Sequence, residues 1–133
     1  MINVIAPLAL LDDEVLLVVR VIMGATMIYY GWPKIKDLEA NAKDFVKMGF
    51  KPGLFWGTVV ALVEFVGGLM ILLGWYAWVA ALLMVGHMAT GTVWKITKTN
   101  KPFTDWSYDL LLLSLALVVV AFGAGSYHVL MWL

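Results

Sequence analysis

Four apolar runs, each long enough to cross a bilayer as a helix and each holding one acidic, basic or imidazole side chain in its interior, set the pattern of this chain. The first, from Glu14 to Trp32, is interrupted only by Arg20 and closed by Pro33, with Asp12 and Asp13 as candidate N-caps. The second, Leu54 to Gly74, carries Glu64 at its middle. The third, Tyr76 to Trp94, carries His87. The fourth follows a cap at Thr104 or Asp105, holds Asp109 in its second turn, and ends at Phe122 before Gly123-Ala124-Gly125-Ser126. Spans are therefore predicted over residues 13–32, 54–74, 76–94 and 105–122.

Small residues travel with the polar ones. Arg20, Gly24, Met27 and Gly31 share one helical face, as do Gly57, Ala61, Glu64 and Gly68, and likewise Met84, His87 and Gly91. Such faces pack against other helices and leave Leu, Ile, Val and Phe to the lipid. Between the first two spans the charge density rises, yet Ile35, Leu38, Ala42 and Phe45 keep helical spacing, which predicts a short amphipathic interfacial helix over residues 34–47. Met48 to Gly53 turns the chain back. Trp75, Tyr76 and Trp78 mark a membrane surface, and so short a connection makes spans two and three antiparallel neighbours. The predicted fold class is an all-α integral membrane protein, a four-transmembrane-helix bundle with one interfacial helix, forming a single domain over residues 1–133.

Composition agrees with that class: 63% of the residues are hydrophobic and 14% charged, outside the range of water-soluble domains. The formal net charge of zero hides an asymmetry. Lys34, Lys36, Lys43, Lys47 and Lys51 fall in the first loop and Lys95, Lys98 and Lys101 in the third, whereas the other side has no lysine or arginine. The positive-inside rule then places both long loops in the cytoplasm and both termini outside. Met1 to Leu11 lacks a basic residue and a small-residue cleavage site, so a retained first span, not a cleaved leader, is expected. With no cysteine there is no disulfide, thiol nucleophile or Cys-ligated metal. His87 and His128 are the only histidines, too few for the usual metal ligand set, so no metal is predicted, and no nucleic-acid partner is expected.

The candidate chemistry lies where the runs are interrupted. At a rise of about 1.5 Å per residue, Arg20 falls roughly 10–12 Å below the outer face, Glu64 about 15 Å above the inner one and His87 about 16 Å below the outer one. All three are thus expected near the midplane, with Asp109 closer to the cytoplasmic side. A lone carboxylate at that depth needs a partner, and Arg20 is the expected one. Two readings stay open at this stage. In one, Arg20 and Glu64 form a structural ion pair that fixes helix register. In the other they belong to a polar pocket, in which Arg20 holds a carbonyl or anionic group while Glu64 or His87 relays a proton, with Met84 in the lining and Asp109 as a weaker participant.

Arg20 with Gly24, Gly31-Trp32-Pro33-Lys34, Glu64-Phe65-Val66-Gly67-Gly68-Leu69 through Gly74, and Gly123-Ala124-Gly125 together resemble the DoxX family of small four-span membrane proteins. The Glu-x-x-Gly-Gly segment and the Gly-x-x-Lys after span one are the most specific parts. The resemblance implies a four-helix bundle in the cytoplasmic membrane of a bacterium or archaeon, associated with membrane redox work. Relatives include a subunit of thiosulfate:quinone oxidoreductase.

The function expected on this basis is a membrane-embedded redox accessory subunit that offers a quinone or similar lipophilic ligand a midplane pocket formed by Arg20, Glu64, His87 and Met84. The chain has no electron-carrying centre of its own, so a protein partner is expected to supply one. Small-residue faces permit a homo-oligomer. The rival expectation is a non-catalytic scaffold or chaperone module whose buried Arg20–Glu64 pair is structural.

Overall fold

The structure is a computed structural model that describes residues 11–128. Residues 1–10, most of the segment on which the absence of a cleaved leader was read, and residues 129–133 of the aromatic tail lie outside the described residues. Among the described residues five helices follow one another: α1 (Asp12–Lys36), α2 (Leu38–Lys47), α3 (Gly53–Leu73), α4 (Ala77–Lys98) and α5 (Phe103–Phe122). All but α2 are long and apolar enough to cross a membrane. Their outward faces carry large apolar side chains such as Val18, Ile22, Leu54, Leu83, Leu111 and Phe122. In water these would form far larger apolar patches than soluble proteins expose, whereas acyl chains solvate them at no cost. This is a multi-pass membrane protein.

Helix boundaries depart from the sequence pattern in several places: the interfacial helix starts at Leu38, not at residue 34, and α4 runs past Trp94 to Lys98. α1 does not stop at Pro33 but continues to Lys36. Proline lacks only its own N–H and already has a helical φ, so near the end of a helix it removes one hydrogen bond without halting the turn. Asp12 and Asp13 are not caps: Leu11 holds that position and the acids lie in the first turn, where the helix dipole favours them. α5 likewise begins at Phe103 after Pro102, with no side-chain cap from Thr104 or Asp105. The true side-chain cap is at α2, where Asp37 Oδ1 accepts from the Ala40 N–H at 3.0 Å.

α1 and α3 form the most intimate pair, antiparallel, because glycines remove the side chains where they cross. A Cβ at Gly24 would lie 2.7 Å from the Gly68 carbonyl oxygen, and one at Gly31 would lie 2.7 Å from the Phe65 nitrogen. α4 and α5 pack as a second pair, and α3 against α4 joins the two. The α3–α4 turn is a Schellman motif: Gly74 takes φ 78°, its N–H donates to the Ile71 carbonyl, and the Trp75 N–H donates to Met70. Between the pairs lies a core of Met23, Met27, Ile71, Ala80, Met84, Leu112 and Ala116.

Gly31→Ala should lower stability by about 1–3 kcal/mol, because backbone and the Glu64 stem cannot recede from the added methyl group. Gly86→Ala, whose Cβ would meet nothing within 4 Å, should cost nothing measurable. Unfolding midpoints in detergent check the pair, and equal midpoints would contradict the packing described.

Candidate functional site

Each helix contributes one stripe to a shared cavity of about 430 Å³. α1 supplies Met27, Tyr30 and Lys34, spaced three and four apart. α4 supplies Met84, His87, Met88, Gly91 and Lys95 by the same periodicity. Glu64 comes from α3, with Tyr108, Asp109 and Leu112 from α5. α2 closes one end with Asn41 and Phe45, together with Met48 just after it. It is held there by two side-chain bonds: Asn41 Nδ2 donates to the Gly57 carbonyl at 2.8 Å, and Trp94 Nε1 donates to the Met48 carbonyl at 3.0 Å.

Glu64, 4% exposed, is the centre of the polar wall. Lys34 Nζ lies 2.7 Å from each of its carboxylate oxygens, and His87 Nε2 lies 2.9 Å from Oε1. A second pair faces the same space: Lys95 Nζ is 3.0 Å from Asp109 Oδ2 and also donates to the Asp105 carbonyl at 3.1 Å. Both lysines come from positions near helix ends and reach inward along apolar stems, so each buried carboxylate is neutralised by a cation that keeps part of its surface outside. Three carboxylates (Asp44, Glu64 and Asp109), an imidazole and two ammonium groups in one cavity can hold, donate and exchange protons.

Of the residues expected at the site, the structure brings Glu64, His87, Met84 and Asp109 together. It does not bring Arg20. The expected Arg20–Glu64 pair is absent among the described residues, because Arg20 lies beside the other end of α3. Its Nε donates to Ile71 at 3.0 Å and its Nη2 to Leu72 at 3.1 Å, while Nη1 donates to the Ala124 carbonyl at 2.8 Å and to that of Tyr127. Four of its five N–H groups are thereby taken up by backbone oxygens. The same end is sewn by Asp13, which accepts from the Ser126 N–H and hydroxyl at 3.1 and 2.7 Å, and by Glu14, which accepts from the Tyr127 hydroxyl at 3.1 Å. That bond to a carboxylate, with its nearby charge, raises the Tyr127 phenol above its ordinary value.

The sequence reading missed Lys34, Lys95, Tyr30 and Tyr108 as site residues. A signal was there for the first: Lys34 is the lysine of the Gly-x-x-Lys segment, three residues after the glycine at which α1 meets Glu64.

A family model described as DoxX matches residues 15–96, well over half of the chain. The protein belongs to the DoxX family. The matched region of this DoxX protein runs from the first turn of α1 almost to the end of α4, and so contains Lys34, Glu64, His87 and Lys95 but not Asp109. No curated protein and no solved structure matches the chain.

Proposed function

We propose that the cavity of this DoxX protein binds a quinone or similar lipophilic carbonyl compound, and that the protein serves as a membrane-embedded accessory subunit of a redox system. The observation that carries the reading is Glu64 held between Lys34 and His87 on the wall of a cavity lined for the most part by methionine, aromatic and aliphatic side chains, with Asn41, Asp44, Lys95 and Asp109 as its other polar groups. Its volume lies within the range of small-molecule sites, which combine an apolar lining with a few convergent polar groups. Lys34 gives two N–H bonds to Glu64 and retains a third for a ligand carbonyl. His87 and Glu64 share a proton across 2.9 Å and can pass it to, or take it from, a neighbouring oxygen. A bound quinone supplies two-electron, two-proton redox chemistry. A partner protein would provide the electrons. With every lysine at the α2 end of the bundle, we place that end in the cytoplasm, in the cytoplasmic membrane of a prokaryote, with both termini outside.

The scaffold reading has one observation in its favour. Every buried side-chain nitrogen and oxygen among the described residues already has a partner, so the polar groups are satisfied without a ligand. Two measurements separate the readings. Protein purified in mild detergent should carry extractable quinone by mass spectrometry, and titration with a decyl-quinone should quench Trp94, which lines the cavity. His87→Ala should weaken binding about tenfold, the worth of one hydrogen bond, while Lys34 still neutralises Glu64 and the melting temperature holds. A wild-type protein that neither carries nor takes up quinone is a scaffold.

A further inference from the structure

The walls of the cavity are not equally closed. At the α2 end, Asn41 and Trp94 pin α2 across the opening. At the other end the buried Met23, Ile71, Ala77 and Val119 fill the bundle, and Arg20 fixes the backbone beyond α5. Around the sides, α1 packs closely on α3, α3 on α4, and α4 on α5. What remains is the seam between the first and last spans. α1 and α5 scarcely touch there. Their polar links, from Asp13, Glu14 and Arg20, all reach the segment after α5 at the far end.

At the level of the cavity the seam is bridged by Tyr30 of α1 and Tyr108 of α5, whose ring centroids are 5.7 Å apart and tilted by 57°. Both rings line the cavity on one side, and both are substantially exposed on the other, 51% for Tyr30 and 40% for Tyr108. Two facing rings with no helix among the described residues packed behind them can part by side-chain rotation, a motion of nanoseconds to microseconds that leaves the backbone in place. The remaining route, past Lys34, Asp44 and Lys95, has a charged rim that suits water and protons and repels a hydrocarbon tail.

We infer that the cavity is loaded sideways from the bilayer, between α1 and α5, through a portal closed by Tyr30 and Tyr108. This rests on reading the cavity as a ligand site. It narrows the ligand class to a lipid-borne amphiphile, whose carbonyl or hydroxyl head reaches Glu64, His87 and Lys34 while its tail stays in the seam. A water-soluble substrate would have no use for such an entrance. Tyr30 and Tyr108 then act as selectivity residues at the entrance, not as groups that touch the reacting atoms.

The chain has no cysteine, so Met84→Cys places a single thiol in the cavity wall. In proteoliposomes its labelling is followed with two reagents, an N-alkylmaleimide dissolved in the bilayer and a charged methanethiosulfonate in the water. Tyr30→Ala should speed the lipophilic reagent about tenfold and Tyr30→Trp should slow it by a similar factor, with the aqueous reagent unmoved by either. Tyr108→Ala should repeat the first result from the opposite wall. A lipophilic rate indifferent to all three variants overturns the portal, as does an aqueous rate that follows the lipophilic one. Adding decyl-benzoquinone reads the ligand assignment separately. Protection without dependence on the tyrosines removes the portal and keeps the quinone, whereas dependence on the tyrosines without protection keeps the portal and removes the quinone.

Discussion

Replacing Lys34 with methionine is expected to destabilise the protein by about 3 kcal/mol or more, because it strands a carboxylate that has almost no access to water. The Glu64 side chain is 5% exposed and the Lys34 side chain 31%. That difference sets the order of the effects. Without Lys34, the Glu64 charge has only His87 to answer it. Without the Glu64 charge, Lys34 can turn its ammonium outward, so Glu64→Gln should cost about 1–2 kcal/mol. The double variant Lys34→Met/Glu64→Gln, with an uncharged amide against a thioether, should be more stable than Lys34→Met alone. A double-mutant cycle on unfolding midpoints in detergent measures the coupling. If the two single losses simply added, the bond at 2.7 Å would be a surface-like contact without energetic weight, and the proposed role of Lys34 as an organised donor would fall with it.

The architecture was legible because it rests on two periodicities that lipid enforces: runs of about twenty apolar residues, and one polar, small-residue stripe on each run. Glu64, His87, Asp109 and Met84 share a cavity because each belonged to such a stripe, and the stripes have nowhere to face but one another. Pairing was not legible in the same way. Matching Arg20 to Glu64 by depth counted Arg20 from the start of the first span and Glu64 from the start of the second, as if the two spans were level. They are offset along their axes: the glycine crossings set Gly31 against Phe65 and Gly24 against Leu72. Arg20 therefore falls beside Ile71 and Leu72, about two helical turns from Glu64. The lysines were misread for a related reason. Counted as loop charges, Lys34 and Lys95 serve the orientation argument, and a one-dimensional count cannot tell which long side chain folds inward. The acceptors that Arg20 uses are backbone carbonyls, which every residue has and no sequence pattern marks.

Arg20→Met should produce a loss comparable to Lys34→Met, about 3–5 kcal/mol, but with a different spatial signature. Arg20 is 1% exposed and is among the largest fully buried side chains. Its four bonds tie the end of α3 to the chain beyond α5. Of the carbonyls it holds, Ile71 also accepts from the Gly74 N–H, so the main deficit falls on Leu72, Ala124 and Tyr127, which lose part-buried bonds to a charged donor. Lysine has one ammonium where arginine has a planar fork, so Arg20→Lys should recover only part of the loss. Hydrogen exchange distinguishes this end from the cavity. Amides near residues 123–128 should lose protection first in Arg20→Met, while those of α2 and the cavity wall around His87 keep theirs. Ligand uptake per folded molecule should be unchanged, since no Arg20 atom lines the cavity. Simultaneous loss of protection at both ends would mean that Arg20 supports the cavity directly, and the division of the bundle into a structural end and a chemical end would have to be abandoned.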